Sequence, residues 1–370
     1  MVRWMAGAAA VGMALGAAAC GTAEQAGGPA SPAATGGATG NVAEGFKIGL
    51  LLPEAKTARY EKFDRPYIEQ NVSKFCPNCE VVYNNANQDP NQQQQQVDSM
   101  LTNNVKVIIL DAVDAKAIAS SVSKAKQQGV KVIAYDRLAG GPIDAYTSFD
   151  NIQVGKMQGE ALLNAIRAGG DPKRGPIVMI NGSPTDPNAG DFKKGAHSVL
   201  DGQVTIGKEY DTPDWSPDQA NTEATGAFTA LGADKVIGVY AANDGMAGGI
   251  ARAMQNAGVK KGTPLTGQDA ELAAIQRILL GTQTMTIYKP IKPEAENAAR
   301  MAVDIGLGKQ ISGTGTVDNG SSSSIPAQII QPIVVTKDNI KDTVVKDGFW
   351  TVEEICTPEV RSACQSAGIS

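Results

Sequence analysis

Short apolar runs rich in β-branched residues alternate with segments of helical period some nine times between residues 46 and 306, and this alternation constrains the chain more than any other feature. The strand candidates are 47–52, 80–84, 105–110, 130–135, 176–180, 204–210, 235–240, 263–266 and 284–288. Between them lie helix candidates at 60–75, 93–102, 115–128, 153–168, 192–200, 218–231, 245–257, 270–280 and 294–306. Strands that alternate with helices form parallel sheets covered on both faces, because each parallel connection needs a crossover long enough to hold a helix. Nine such units exceed one ordinary doubly wound domain, so the expected fold class is α/β with two doubly wound parallel-sheet lobes.

Composition removes several function classes. Lysine and arginine total 33 against 38 acidic residues, a net charge of −5, which argues against a nucleic-acid-binding surface. The single histidine, His197, cannot build a histidine-based metal cage and leaves a catalytic triad without support; no metal is expected. No Gly-x-Gly-x-x-Gly follows the first strand and no Walker lysine is present, so no phosphate cofactor is expected either. The glutamine run Gln92 to Gln96 opens a segment completed by Val97, Met100 and Leu101, and reads as the solvated first turn of a helix.

Residues 1–19 carry only Arg3 and are otherwise small and apolar, the pattern of a secretory signal, although a retained membrane anchor is the alternative. Ala17-Ala18-Ala19 suits cleavage before Cys20. Five cysteines leave one unpaired: Cys76 with Cys79 and Cys356 with Cys364 can form two local disulfides, and lipidation gives Cys20 a use. Cys76-Pro77-Asn78-Cys79 follows a helix rather than opening one, which favours a structural clip over a redox pair. Residues 20–44, rich in Gly, Ala, Ser, Thr and Pro, have the composition of a flexible tether, so a body leashed to a membrane surface is expected.

Ligands of open parallel sheets bind beyond the carboxyl ends of the strands, which makes the residues found there a separate set. They are Arg59 and Tyr60, Asp136 and Arg137, Asp186 and Asn188, Trp215, Asn243 with Asp244, Asp269, and Lys289. Carboxylates and amides accept, while guanidinium, ammonium and amide groups donate, which together suit a neutral polyol whose hydroxyls do both. Aromatic rings suit its apolar C–H faces. Each residue also has a plainer reading: the aspartates as helix N-caps, Asn243 as a turn residue, Lys289 as an exposed hinge lysine, Trp215 as a surface aromatic. Asp244 is taken as a cap. A carbohydrate-active enzyme would need a carboxylate pair among Asp136, Asp186 and Asp269. The basic or amide residues beside them suggest ionised acceptors instead.

At these same residues the sequence resembles the ribose- and galactose-type periplasmic sugar receptors of bacterial ABC importers, its xylose-binding members above all. The resemblance rests on Ala134-Tyr135-Asp136-Arg137, Ser148-Phe149-Asp150-Asn151 with Val154-Gly155, and Gly182-Ser183-Pro184 with Asn188-Ala189. It continues through Gly267-Gln268-Asp269-Ala270, the run from Gly281 to Pro290, Asn339-Ile340-Lys341-Asp342-Thr343 and Lys346-Asp347-Gly348-Phe349. It implies a type I periplasmic binding protein: two lobes, 45–149 plus 291–326 and 150–290 plus 327–370, joined by a three-strand hinge. Crossings are expected near 148–151, 288–293 and 325–332. The implied sugar contacts are Arg59, Tyr60, Asp136, Arg137, Asp186, Asn188, Trp215, Asn243, Asp269 and Lys289. Tyr60 stands where the xylose-type pattern has Trp, and Pro187 where it has Asn. The implied activity is capture of a monosaccharide, D-xylose first and glucose, ribose or galactose as alternatives, by a monomeric, non-enzymatic, extracytoplasmic lipoprotein. Its implied partners are an ABC permease and ATPase.

Overall fold

The structure is a computed structural model that describes residues 43–311 and 313–369. The expected signal, Cys20 and nearly all of the expected tether lie outside the described residues. In chain order the first elements are β1 (Lys47–Leu52), α1 (Arg65–Phe75), β2 (Glu80–Asn85), α2 (Pro90–Thr102), β3 (Val107–Leu110), α3 (Ala119–Gln127), β4 (Lys131–Tyr135) and β5 (Ala145–Phe149). There follow α4 (Asn151–Ala168), β6 (Pro176–Asn181), α5 (Pro187–Leu200), β7 (Thr205–Asp211), α6 (Pro217–Leu231), β8 (Gly238–Ala241), α7 (Asp244–Ala257), α8 (Leu272–Leu279) and β9 (Thr286–Tyr288). The chain closes with α9 (Ile291–Gly306), β10 (Gly315–Val317), β11 (Ile325–Ile330), β12 (Ile333–Val335), α10 (Val352–Ile355) and α11 (Arg361–Ser366).

The first sheet has the order β10-β11-β5-β4-β3-β1-β2, parallel except for β10 against β11. Its central strands β1, β3 and β4 are largely apolar because helices cover both faces: Ile48, Leu50, Leu51 and Leu52 of β1 are all buried. The second sheet has β7-β6-β8 in parallel, and β9 pairs with β12 antiparallel. Residues 263–266 do not form the expected strand. Only a bridge from Leu265 to Val239 forms, because Pro264 lacks an N–H for the ladder. Backbone bonds from Thr266 N to Val239 O (3.2 Å) and Thr284 N to Leu265 O (2.8 Å) still link β8 to the β9 side.

Four strands escape the apolar pattern. In β5, Thr147 and Ser148 are fully buried, which erases the signature of a core strand, and β10, β11 and β12 are short or interrupted by Pro326. The glutamine run is not a solvated turn. Gln93 is fully buried, donating to Asp111 O (2.8 Å) and accepting from Val113 N (2.9 Å). Gln96 donates to Asn85 O at 2.7 Å. Backbone groups at the last residue of β2 and just beyond β3 are satisfied by these amides.

The chain passes between the two sheets three times. β5 ends at Phe149 and α4 begins at Asn151, packing on β8 and β9; β9 ends at Tyr288 and α9 returns to β3, β4 and β5. β11 pairs with β5 through Ile330, whereas β12, three residues on, pairs with β9. Beside these crossings a fourth hydrophobic cluster joins Phe63, Phe149, Tyr288, Ile291 and Val335 to Phe349, Trp350 and Ile355 of the C-terminal segment. Disulfides Cys76–Cys79 and Cys356–Cys364 are both present; the first closes the turn immediately after α1.

Candidate binding site

Strand order reverses between β1 and β3 in the first sheet and between β6 and β8 in the second, and a crevice forms where the chain turns in opposite directions. The loop after β1 is tied by Glu54, whose buried carboxylate accepts from Lys56 N and from Thr57 N, the latter at 3.0 Å. A wide π-type turn over Tyr60–Asp64 then leads into α1. Asp136, directly after β4, takes a positive φ of 55°, a region a short polar side chain tolerates. On the other side α5 and α7 begin at the crevice, capped by Asp186, which accepts from Asn188 N (2.9 Å), and by Asn243, which accepts from Met246 N (2.9 Å).

All ten residues singled out in the sequence line one cavity between the two sheets, and Thr57, Phe192 and Gln268 complete it. The atom-free space among these residues is about 330 Å³, part of it open to solvent. Lys289 and Trp215 are buried, so neither the exposed hinge lysine nor the surface aromatic describes them. The Trp215 indole donates to Asp186 Oδ2 at 3.1 Å, and its ring meets that of Phe192 at 6.3 Å and 64°. Asp186 is therefore both a cap and a wall of the cavity.

Charge is arranged in two groups. Arg59 reaches Asp64 (2.6 Å), Asp136 (2.6 Å) and Glu294 (2.9 Å), and Tyr135 donates to Asp64 from beneath. Arg137 reaches Asp186 through Nε at 2.8 Å and the Tyr60 hydroxyl through Nη2 at 3.3 Å. Burial pushes the Asp136 carboxyl up, but Arg59, Lys289 and Arg137 outweigh it and hold it below the usual carboxylate range. At Asp186 burial outweighs Arg137 and the carboxyl is raised, contrary to the expectation that every candidate carboxylate would be a stabilised anion. Lys289 pairs with Asp269 at 2.8 Å; burial alone would lower its ammonium, and Asp269 and Asp136 raise it instead.

Several contacts cross the crevice. Arg137 meets Asp186, the Asn188 amide donates to Asp136 Oδ1 at 2.7 Å, and Ala115 N donates to Thr185 O at 3.3 Å. The two sides are drawn together by the same groups that face the cavity. Their donors and acceptors match the paired character of hydroxyls, and the rings of Tyr60, Phe192 and Trp215 supply apolar faces.

Asp244 is not a cap. Asn243 holds that position, and Asp244 is fully buried, accepting from Thr286 Oγ1 (2.7 Å), Gln283 Nε2 (2.7 Å) and Glu271 N (3.0 Å). Burial pushes its carboxyl up to about 7. Gly267 beside it leaves the space it occupies, since a Cβ there would lie 2.0 Å from Asp244 Oδ1. The sequence reading also missed Asp64, Asp111 and Glu294, which stand behind the cavity. A carboxylate in a helix's first turn or at a strand end carries no local mark of burial. Gln268 did have a signal, its place beside Asp269.

A crevice closed from both sides by two α/β units, with three crossings at one edge, defines a two-lobed receptor of the type I periplasmic binding fold. Residues 48–310 match the family model described as the periplasmic binding protein domain, and the chain belongs to that family. It is 36% identical over 319 residues to the D-xylose-binding periplasmic protein of Escherichia coli (strain K12), covering 85% of this chain and 93% of that one. The protein of the same description from Haemophilus influenzae is 36% identical over 316 residues, 84% of this chain and 92% of that one. Among solved structures, a carbohydrate transporter solute binding protein from Chloroflexus aurantiacus in complex with D-glucose superposes with a TM-score of 0.73 at 26% identity, covering 83% and 97% of the two chains.

Proposed function

We propose that this protein is an extracytoplasmic sugar receptor that captures a monosaccharide, D-xylose first, by hinged closure and presents it to the permease and ATPase of an ABC importer. One observation carries the reading: ten residues chosen for their strand-end positions converge on a single polar cavity with aromatic walls. The family and the xylose-binding relatives support it. The lobes, 45–149 with 291–326 and 150–290 with 327–370, would close on opposite faces of the sugar through Arg59, Tyr60, Asp136 and Arg137 on one side and Asp186, Asn188, Trp215, Asn243, Asp269 and Lys289 on the other. Closure is favoured by ligand because only the closed form uses both sets. In the same reading the receptor is a monomer held at the membrane through a lipidated Cys20.

Glucose is the second reading, favoured by the similar, glucose-bound Chloroflexus structure. Calorimetry with D-xylose, D-ribose, D-glucose and D-galactose separates them: saturable heat with D-xylose, and weaker or no heat with the others, is expected. No heat from any of the four would end the sugar-receptor reading, and turnover of an aryl xyloside would replace it with an enzyme.

A further inference from the structure

The buried acidic and basic side chains among the described residues comprise eight carboxylates and three cations, Arg59, Arg137 and Lys289. Such an imbalance cannot persist with every carboxylate ionised, because an unpaired buried charge costs several kcal/mol. Most of the eight receive hydrogen bonds. Asp111 is the exception: it is fully buried, neither carboxylate oxygen accepts a hydrogen bond, and its nearest cation is Arg137 Nε at 3.5 Å. Its backbone is fixed, with N donating to Leu51 O (2.9 Å) and O accepting from Gln93 Nε2 (2.8 Å).

That same Arg137 Nε lies 2.8 Å from Asp186 Oδ2, across the crevice. The remaining nitrogens of Arg137 are anchored on its own side, Nη1 to Ala112 O (3.1 Å) and Nη2 to the Tyr60 hydroxyl (3.3 Å). Asp111 follows β3 and Arg137 follows the adjacent β4, so the two stay together when the crevice opens. Asp186 stands at the start of α5 and leaves with the other side. In the open form Asp111 is then the carboxylate partner of Arg137. Closure gives Arg137 to Asp186 and leaves Asp111 buried without a donor.

We propose that Asp111 is a positioning residue that holds Arg137 while the crevice is open and takes up a proton from solvent when the crevice closes on its ligand. The proposal rests on the receptor reading above. The proton comes from a solvent or buffer acid and ends on a carboxylate oxygen of Asp111, making it a neutral carboxyl; no other bond changes. The groups facing Asp111 are Arg59 and Tyr60 after β1, Asp136 and Arg137 after β4, and Asp186 of α5, while α2 contributes only the uncharged Gln93. In the closed form burial, joined by Asp136 and Asp186, outweighs Arg137 and Arg59 and holds the Asp111 carboxyl well above its ordinary range. A carboxyl whose value is raised by closure favours closure most below its open-form value. That advantage is lost as pH rises through the closed-form value.

The test is calorimetry of the intact protein with whichever of D-xylose, D-ribose, D-glucose and D-galactose gives heat, in two buffers of different ionisation enthalpy. Buffer-dependent heat reporting up to one proton taken up per sugar is expected. Kd should rise with pH by up to about tenfold per unit above the ordinary carboxylate range. Asp111→Asn can neither bind the proton nor hold Arg137 by charge; it should give buffer-independent heat, a flat pH profile, and tighter binding than the parent at about pH 8.5. A merely structural Asp111 would instead leave the parent's slope in the variant. Sugar heat that does not depend on buffer in the parent protein, or an unchanged slope in Asp111→Asn, overturns the proposal alone. Absence of heat with all four sugars overturns the receptor reading and the proposal with it.

Discussion

Trp215 shows how much a single site residue depends on its neighbours. It and Asp214 both take positive φ, 53° and 55°, a costly backbone for residues other than glycine. The indole–Asp186 bond and the room left by Gly182, where a Cβ would lie 2.0 Å from the ring, hold it there. Trp215→Ala should weaken sugar binding by about 1 to 3 kcal/mol if the ring stacks on the ligand. Sugar should also change the tryptophan emission of the parent but not of the variant; equal affinity would return the ring to a packing role. Ten of the cavity residues were legible in the sequence because a strand's end is a local property: nine follow a strand, and Asp269 follows the segment that keeps only the Leu265 bridge. Asp64, Asp111 and Glu294 were not, because their burial is decided by which distant segments close over them.

Among the elements, α4 and α5 pack more closely than a Cβ allows. A Cβ on Gly155 would stand 1.9 Å from Phe192 O, and one on Gly195 would stand 2.1 Å from Ile152 O. Gly155→Ala must therefore push the helices apart, and should lower stability by about 1 to 3 kcal/mol in denaturant titration. Because α5 carries Asp186, Asn188 and Phe192 into the cavity, sugar affinity should fall with it. A variant as stable and as tight-binding as the parent would show that the helices tolerate separation. Helical period and caps made most helices readable to within a few residues: α2 begins at Pro90 behind Asp89, and α4 at Asn151 behind Asp150. Strands were less so. Where buried polar residues stand inside one, as Thr147 and Ser148 do in β5, the sheet environment and not the local pattern makes the strand.

For the whole molecule, the chain crosses between the sheets three times, and the crevice is bridged by the Arg137–Asp186 and Asn188–Asp136 pairs and by the Ala115–Thr185 backbone bond. Saturating sugar should lower the radius of gyration in small-angle scattering, and a curve unchanged by a sugar that binds by calorimetry would contradict hinged closure. The sequence by itself determined the α/β class, two sheets' worth of alternating units and the chemistry at the strand ends, because periodicity, capping and turn chemistry act over a few residues. Which carboxylates lose their water, and which cation each one shares, was decided only by tertiary structure. Arg59 and Glu294 are 235 residues apart in the chain and 2.9 Å apart in the fold, and desolvation and Coulomb energy depend on the second distance alone.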